Sequence, residues 1–302
     1  MIERGSSGHA GANFSTGKGA GTMSQENSEL GLKLLQKVAR ENISYVGGAA
    51  AILLQIAHPL VGKGVSEHSQ FATRTISRTQ YTQMYIYAMI FGTPDEKAAM
   101  QAFVNKAHSR VKGGEGESSY NAQDPELQLW VAITIYVSMI NGYESMHGPL
   151  PPSEAELVYQ AFSVMGTALQ VPPDMWPPDL ASFKLYWNDM VENRLQVSSG
   201  VRGVMNDLFH PQGLPLLARP VVALLIPLLF RPMAVEQLPP NVREQYGLES
   251  TWATRALSNM FMSTVEATYP LTPRFIRQSQ KTYYMNLMRK RIARRGGQLV
   301  KP

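Results

Sequence analysis

The run Asp124-Pro125-Glu126-Leu127-Gln128-Leu129-Trp130-Val131-Ala132-Ile133-Thr134-Ile135-Tyr136-Val137-Ser138-Met139-Ile140 decides the fold class. Its β-branched and aromatic residues would suit a buried strand, but strands are usually shorter than ten residues. It also opens as a helix does: a capping aspartate, a proline whose missing N–H costs nothing there, and an acid that complements the helix dipole. A buried helix is expected. The neighbouring segments agree. Thr93-Pro94-Asp95-Glu96 is a capping box and starts a helix expected over 94–111, ended by Gly113-Gly114. Leu30, Leu34, Leu35 and Val38 recur at helical spacing up to about Asn42. Residues 47–60 read as a mostly buried helix stopping near Pro59, followed by a loop with Gly62 and Gly64. Ser153-Glu154-Ala155-Glu156 opens another helix, and Thr272-Pro273 begins a last one, over about 272–295. No alternation of strands with helices supports a parallel sheet. The expectation is all-α: a single helical-bundle-like domain over 23–302, with 1–22 a mobile leader or expression scar carrying six glycines and no apolar core.

Composition narrows the chemistry. A chain of 302 residues that is 44% apolar can bury a sizeable core. With no cysteine there can be no disulfide, thiolate-bound zinc or haem, iron–sulfur cluster or cysteine nucleophile, so a metal must rest on the six histidines or on carboxylates. The net charge of +5 is concentrated: Arg274, Arg277, Lys281, Arg289, Lys290, Arg291, Arg294 and Arg295 fall in 22 residues without an acid. This basic segment, with Tyr283, Tyr284, Met285, Leu287 and Met288, is expected to bind an anionic membrane surface. It offers no stacking platform for nucleic acid. The most apolar stretches, 46–65 and 214–235, are broken by Gln55, His58 and Lys63 and by Arg219, Pro220, Pro227, Arg231 and Pro232. Neither makes a clean membrane span, and each reads as a buried or surface-lying helix.

No nucleophile elbow, phosphate-binding loop, H-E-x-x-H or dinucleotide fingerprint is present, which sets aside the familiar hydrolases and nucleotide enzymes. What remains lies in the first 110 residues: His58 near a helix end, Glu67-His68, Arg74 and Arg78-Thr79, and His108 in the capped helix. Neutral imidazole is a common iron ligand, and two arginines four residues apart can clamp a carboxylate. Each residue also has a purely structural reading: a helix histidine bonded to a carbonyl, a solvated loop, a surface arginine pair. His58, Glu67 and His68 could alternatively hold a non-haem metal.

The block Gly47-Gly48-Ala49-Ala50-Ala51-Ile52-Leu53-Leu54-Gln55-Ile56-Ala57-His58-Pro59-Leu60-Val61-Gly62-Lys63-Gly64-Val65-Ser66-Glu67-His68-Ser69 is followed by Arg78-Thr79, Phe91-Gly92 and His108-Ser109-Arg110-Val111. Then come Tyr120-Asn121-Ala122-Gln123-Asp124-Pro125-Glu126-Leu127 and Leu129-Trp130-Val131. In this order they resemble the family joining mycophenolic-acid-type fungal oxygenases to the rubber oxygenases, over residues 45 to about 195. The resemblance implies a helical fold enclosing a non-covalent haem b, dioxygen as co-substrate, and oxidative cleavage of olefinic, isoprenoid-like molecules. By motif order it makes His108 the haem iron ligand and places Arg78 and Thr79 where rubber oxygenases carry a distal Lys-Thr pair. His58 and Glu67 become polar groups of the reaction, and Arg74, Arg110 and Trp130 surround the cofactor. The family's arginine four residues before the threonine is here Thr75, with Arg74 one place earlier. The reading is a haem b oxygenase acting on an isoprenoid or polyketide-derived molecule in fungal-type secondary metabolism, intracellular or peripheral on the endoplasmic reticulum membrane. A helical protein that binds lipid or terpenoid without catalysis is the rival from another class.

Overall fold

The structure, a computed structural model, describes residues 24–68, 71–211, 216 and 219–294, with the side chains of 71–76 outside that description. The expected leader 1–22 and Arg295 lie outside it. The fold is all-α. The helices are α1 (Gln25–Ala39), α2 (Gly48–Ala57), α3 (Pro59–His68), α4 (Phe71–Phe91), α5 (Pro94–His108), α6 (Pro125–His147), α7 (Pro152–Phe162) and α8 (Val164–Thr167). They continue as α9 (Leu180–Asp189), α10 (Ser199–Phe209), α11 (Arg219–Leu225), α12 (Arg231–Gln237), α13 (Pro240–Tyr246), α14 (Trp252–Thr268), α15 (Arg274–Arg277) and α16 (Ser279–Arg294). Single π turns, Met190–Arg194 and Ile226–Phe230, extend α9 and join α11 to α12.

The run that decides the fold class is the central helix. The Asp124 carboxylate accepts the Glu126 N–H at 2.8 Å, and Pro125 occupies the first turn. Leu127, Trp130, Ile133, Thr134, Tyr136, Met139 and Tyr143 of α6 are buried. Burial on several faces explains why β-branched residues sit in a helix: packing outweighs propensities worth a few tenths of a kcal/mol each. α1 packs on α7, α2 on α6, and α4 against α5, α10 and α16.

Beyond residue 57 the chain departs from the expected loop. His58 is extended, with ψ 124°, and Pro59 starts α3 at once, so that the path from 42–57 to 59–68 bends by 102°. Gly62 and Gly64 are helical and serve close approach instead. Pro59 has no N–H to give, and the His58 N–H turns to the Gln55 carbonyl, so the Leu54 carbonyl loses its helical partner. Trp130 Nε1 donates to it at 3.1 Å. The Leu53 carbonyl accepts the Tyr246 hydroxyl at 2.7 Å, and Ala57 accepts the Gln196 N–H at 2.8 Å. Three distant elements thus close on one elbow.

Two further segments differ from expectation. Residues 112–121 form a small antiparallel hairpin, β1 (Lys112–Gly113) with β2 (Tyr120–Asn121), which carries Tyr120 over Gly64. The last helix is broken at Gln278 into α15 and α16, and α16 packs on α4 with Met285 and Met288 buried and Tyr284 and Leu287 half-buried. Three of its cations meet partners in the chain, while Lys290 and Arg294 are exposed. Arg289 pairs with Glu96 at 2.7 Å, Arg291 donates to Gln80 at 2.9 Å and covers the Tyr81 ring, and Lys281 covers Phe91. Of the apolar residues expected at a lipid interface, Tyr283 alone is exposed.

A methyl group at Gly62 would collide with the Ile56 carbonyl and meet Val201 Cγ2 at 2.5 Å, whereas Gly203, inside α10, has open space around it. Gly62→Ala should cost about 1–3 kcal/mol as overpacking, and Gly203→Ala should gain about 0.5–1 kcal/mol as a helix former. Urea unfolding of the two variants checks both signs.

Candidate functional site

The elbow sets His58 between α2 and α3, and α5 delivers His108. His108 is the last residue of α5, with Ser109 as its cap, so the helix stops three residues short of the expected end and the imidazole is terminal, not mid-helix. Side-chain amides fix the preceding turn. Gln170 Nε2 donates to Asn105 Oδ1 at 2.9 Å, and Gln128, from α6, donates to Gln170 at 2.6 Å and to the Ala122 carbonyl at 2.9 Å. After His108 the chain runs back along α3, where a methyl group on Gly64 would lie 3.5 Å from Val111 Cγ1.

Both imidazoles are held neutral. Burial, then the Arg78 guanidinium, lowers His108 to about 4 from 6.5. A helix C-terminus favours protonated histidine by at most about 2 kcal/mol, and here desolvation prevails. Burial and the charge of Arg194 lower His58, partly offset by Asp124. Nδ1 of each is buried without a hydrogen-bond partner. Such an orphan costs about 1–3 kcal/mol, and an open ring nitrogen on a neutral imidazole can act as a ligand atom or exchange a proton. Arg78 is exposed, and partial desolvation lowers its guanidinium from the usual value. It also has an interaction partner in the chain.

The other expected residues are placed differently. The Glu67 carboxylate accepts the Tyr120 hydroxyl at 2.6 Å, lies 4.0 Å from Lys63 and is half exposed, and its pull raises Tyr120 to about 12. His68 is exposed, edge-on to the same tyrosine ring. No group of three or more His, Asp or Glu side chains converges among the described residues, so the three-ligand site at His58, Glu67 and His68 is not assembled. Thr79 and Arg110 are exposed. Trp130 is fully buried against Trp187, its N–H committed to Leu54, which makes it a tie of the elbow. The side chain of Arg74 lies outside the described residues. Sequence reasoning missed Arg194 and Asp124, which act on His58 through charge. Asp124 reads locally as a helix cap, and Arg194 sits in a π turn with no motif.

The chain belongs to the family described as ER-bound oxygenase mpaB/B'/rubber oxygenase, catalytic domain, which matches residues 35–267. It is therefore an oxygenase catalytic domain, of the oxidoreductase class. Two uncharacterized proteins, from Mycobacterium tuberculosis and Mycobacterium bovis, are each 36% identical over 181 residues, covering 57% of this chain and 71% of theirs. Both are mycobacterial, so the comparison adds nothing to the fungal-type assignment. No solved structure matches.

The lowered pKa of His108 predicts a pH dependence in the ligand-free protein. The unfolded chain binds a proton near pH 6.5 and the folded chain only near 4, so stability falls as pH drops through that window and levels off below it. The loss attributable to His108 is about 2–3 kcal/mol. Denaturant unfolding between pH 7 and 4 should show it, and His108→Gln should flatten the profile by that amount.

Proposed function

We propose that this protein is a haem b oxygenase that uses dioxygen on a hydrophobic, isoprenoid or polyketide-derived small molecule in secondary metabolism. One observation carries the reading: an imidazole, His108, whose Nδ1 is buried without a hydrogen-bond partner and which is held neutral by burial and by the charge of Arg78. Its chemistry fits haem b, which needs one neutral imidazole from the protein and whose propionates seek guanidinium groups. His108 would hold the iron and Arg78 would balance an anionic group. Haem b supplies, when bound, the one-electron chemistry by which dioxygen reacts with a closed-shell olefin.

The chain's own residues do the rest. His58, neutral at pH 7, can hold or release a proton at Nδ1, and the nearby Arg194 charge keeps that proton loosely bound. The Gln128–Gln170–Asn105 chain of amides keeps the end of α5 from turning, which orients His108. The apolar faces of α2, α4 and α6 exclude water from the elbow. Glu67, drawn toward Tyr120 and solvent, leaves the proton role to His58.

The spectrum of the purified chain tests the reading. A Soret band is expected, lost in His108→Ala and kept in His58→Ala, whose turnover should fall by about 10²-fold or more. Loss of the band in His58→Ala with retention in His108→Ala would reverse the ligand assignment, and a parent without the band would overturn the haem reading. Arg78 has no lone pair to give, so the parent should lack a second nitrogen ligand. In Arg78→Lys the same burial would lower the amine pKa, and a low-spin form should grow in as pH rises.

A further inference from the structure

The helix Arg219–Gln237 is apolar, with mean hydropathy 1.4, and only 22% buried. Its two ends differ. Pro232, Met233, Ala234 and Val235 are buried, and α12 packs on α2 and α14. The first part stands out in solvent: Val221 is 55% exposed, Leu224 59%, Leu228 42% and Phe230 52%. By length and composition this helix passes as a membrane span, and the bent pair of Asn42–Ala57 with Pro59–His68 does so as well. Physical bounds exclude a crossing by 219–237. The uncharged stretch between Arg219 and Arg231 is eleven residues, about 17 Å at 1.5 Å per residue, against a hydrocarbon thickness of about 30 Å. The remaining third of the helix is core.

A helix rooted at one end, apolar on its outward face and bounded by arginines has the shape of an element that lies in an interface. Val221, Leu224 and Leu228 follow one another at i, i+3 and i+7, on one face. Behind them a cleft of about 860 Å³ separates the helix from α10, walled by Met205, Phe209, Val222 and Ile226 and bearing Arg231 and Arg219, the latter with an interaction partner in the chain, and with no carboxylate among its described lining residues. The exposed charge of Arg231 chooses between occupants. A two-fold contact between copies would bring this cationic end of the helix against cationic ends of its own kind, whereas anionic headgroups complement it.

We propose that residues 219–230 form an arm that lies flat in an anionic lipid surface, with Val221, Leu224, Leu228 and Phe230 among the acyl chains and Arg219 and Arg231 at the level of the phosphates. The arm is a separate surface from the basic C-terminal helix, on which the charge pattern alone placed membrane binding and whose Met285 and Met288 are buried where it packs on α4. The docking surface stands independently of what the histidine site binds.

Flotation of the full chain with phosphatidylcholine vesicles, with and without phosphatidylglycerol, tests it. Binding is expected to the phosphatidylglycerol vesicles and to weaken at least about tenfold in Leu224→Glu/Leu228→Glu, because each leucine seated in hydrocarbon contributes a factor of that order. Arg231→Gln should weaken it about fivefold. The substituted leucines are exposed, so circular dichroism should be unchanged, and Val221→Asn/Phe230→Gln is a second pair should the first misfold. Absence of vesicle binding overturns the proposal. So does binding that ignores the arm variants and follows Lys290→Gln/Arg294→Gln instead. A dimer in sedimentation, dispersed by Leu224→Glu/Leu228→Glu without vesicle binding, would give the face to a second copy and overturn it equally.

Discussion

One missing hydrogen organises the molecule: Pro59 has no N–H. The helix before it must end, the carbonyls of its last turn need donors from elsewhere, and the Trp130 indole of α6 and a backbone N–H after α9 supply two of them, while the Tyr246 phenol of α13 adds a bond to Leu53 one residue earlier. Buried carbonyls without partners would each cost about 1–3 kcal/mol, so these contacts fix where three remote elements may sit. The turn costs little in volume because Gly62 lets the Ile56 carbonyl and Val201 come close. His58 stands at the corner, positioned by the constraint that assembles the core around it.

The electrostatics of the site follow from that packing. Desolvation is the first cause at both histidines, and the arginines near them act in the same direction, so neither imidazole carries charge at neutral pH. A protein that wanted cationic histidines would have placed carboxylates there. The one carboxylate that acts on His58, Asp124, only partly offsets burial and Arg194, and Glu67 is engaged with the Tyr120 hydroxyl. Neutral imidazoles next to arginine charges are the arrangement this packing produces in a chain of the oxygenase family.

Much of the fold was legible because its signals are local. The cap at Asp124 and the box at Thr93 need only a few neighbouring residues, and the structure forms both. Motif order singles out His58, Arg78 and His108 as candidates, and what the structure adds is the desolvation that lowers the pKa of each. The misreadings share one cause: a local rule overridden by a distant partner. Glycines at 62 and 64 look like a loop until Val201 and Tyr120 are seen pressing on them. The last helix, expected as one piece, breaks at Gln278, where the segment turns so that Lys281 and Arg291 cover Phe91 and Tyr81 and Arg289 meets Glu96. Arg194 could not be found at all, since nothing in its local sequence records its nearness to His58.

The family match ends at residue 267, yet α15 and α16 lie beyond it and α16 braces α4, the helix that carries Arg78. The homologous unit is thus smaller than the folding unit. Arg291 reaches Gln80 across 211 residues of chain. At a translation rate of roughly 5–20 residues per second, α4 leaves the ribosome about 10–40 s before the helix that covers it. During that interval its outer face, with Tyr81, Tyr87 and Phe91, is bare on the nascent chain, and shielding it falls to the cell.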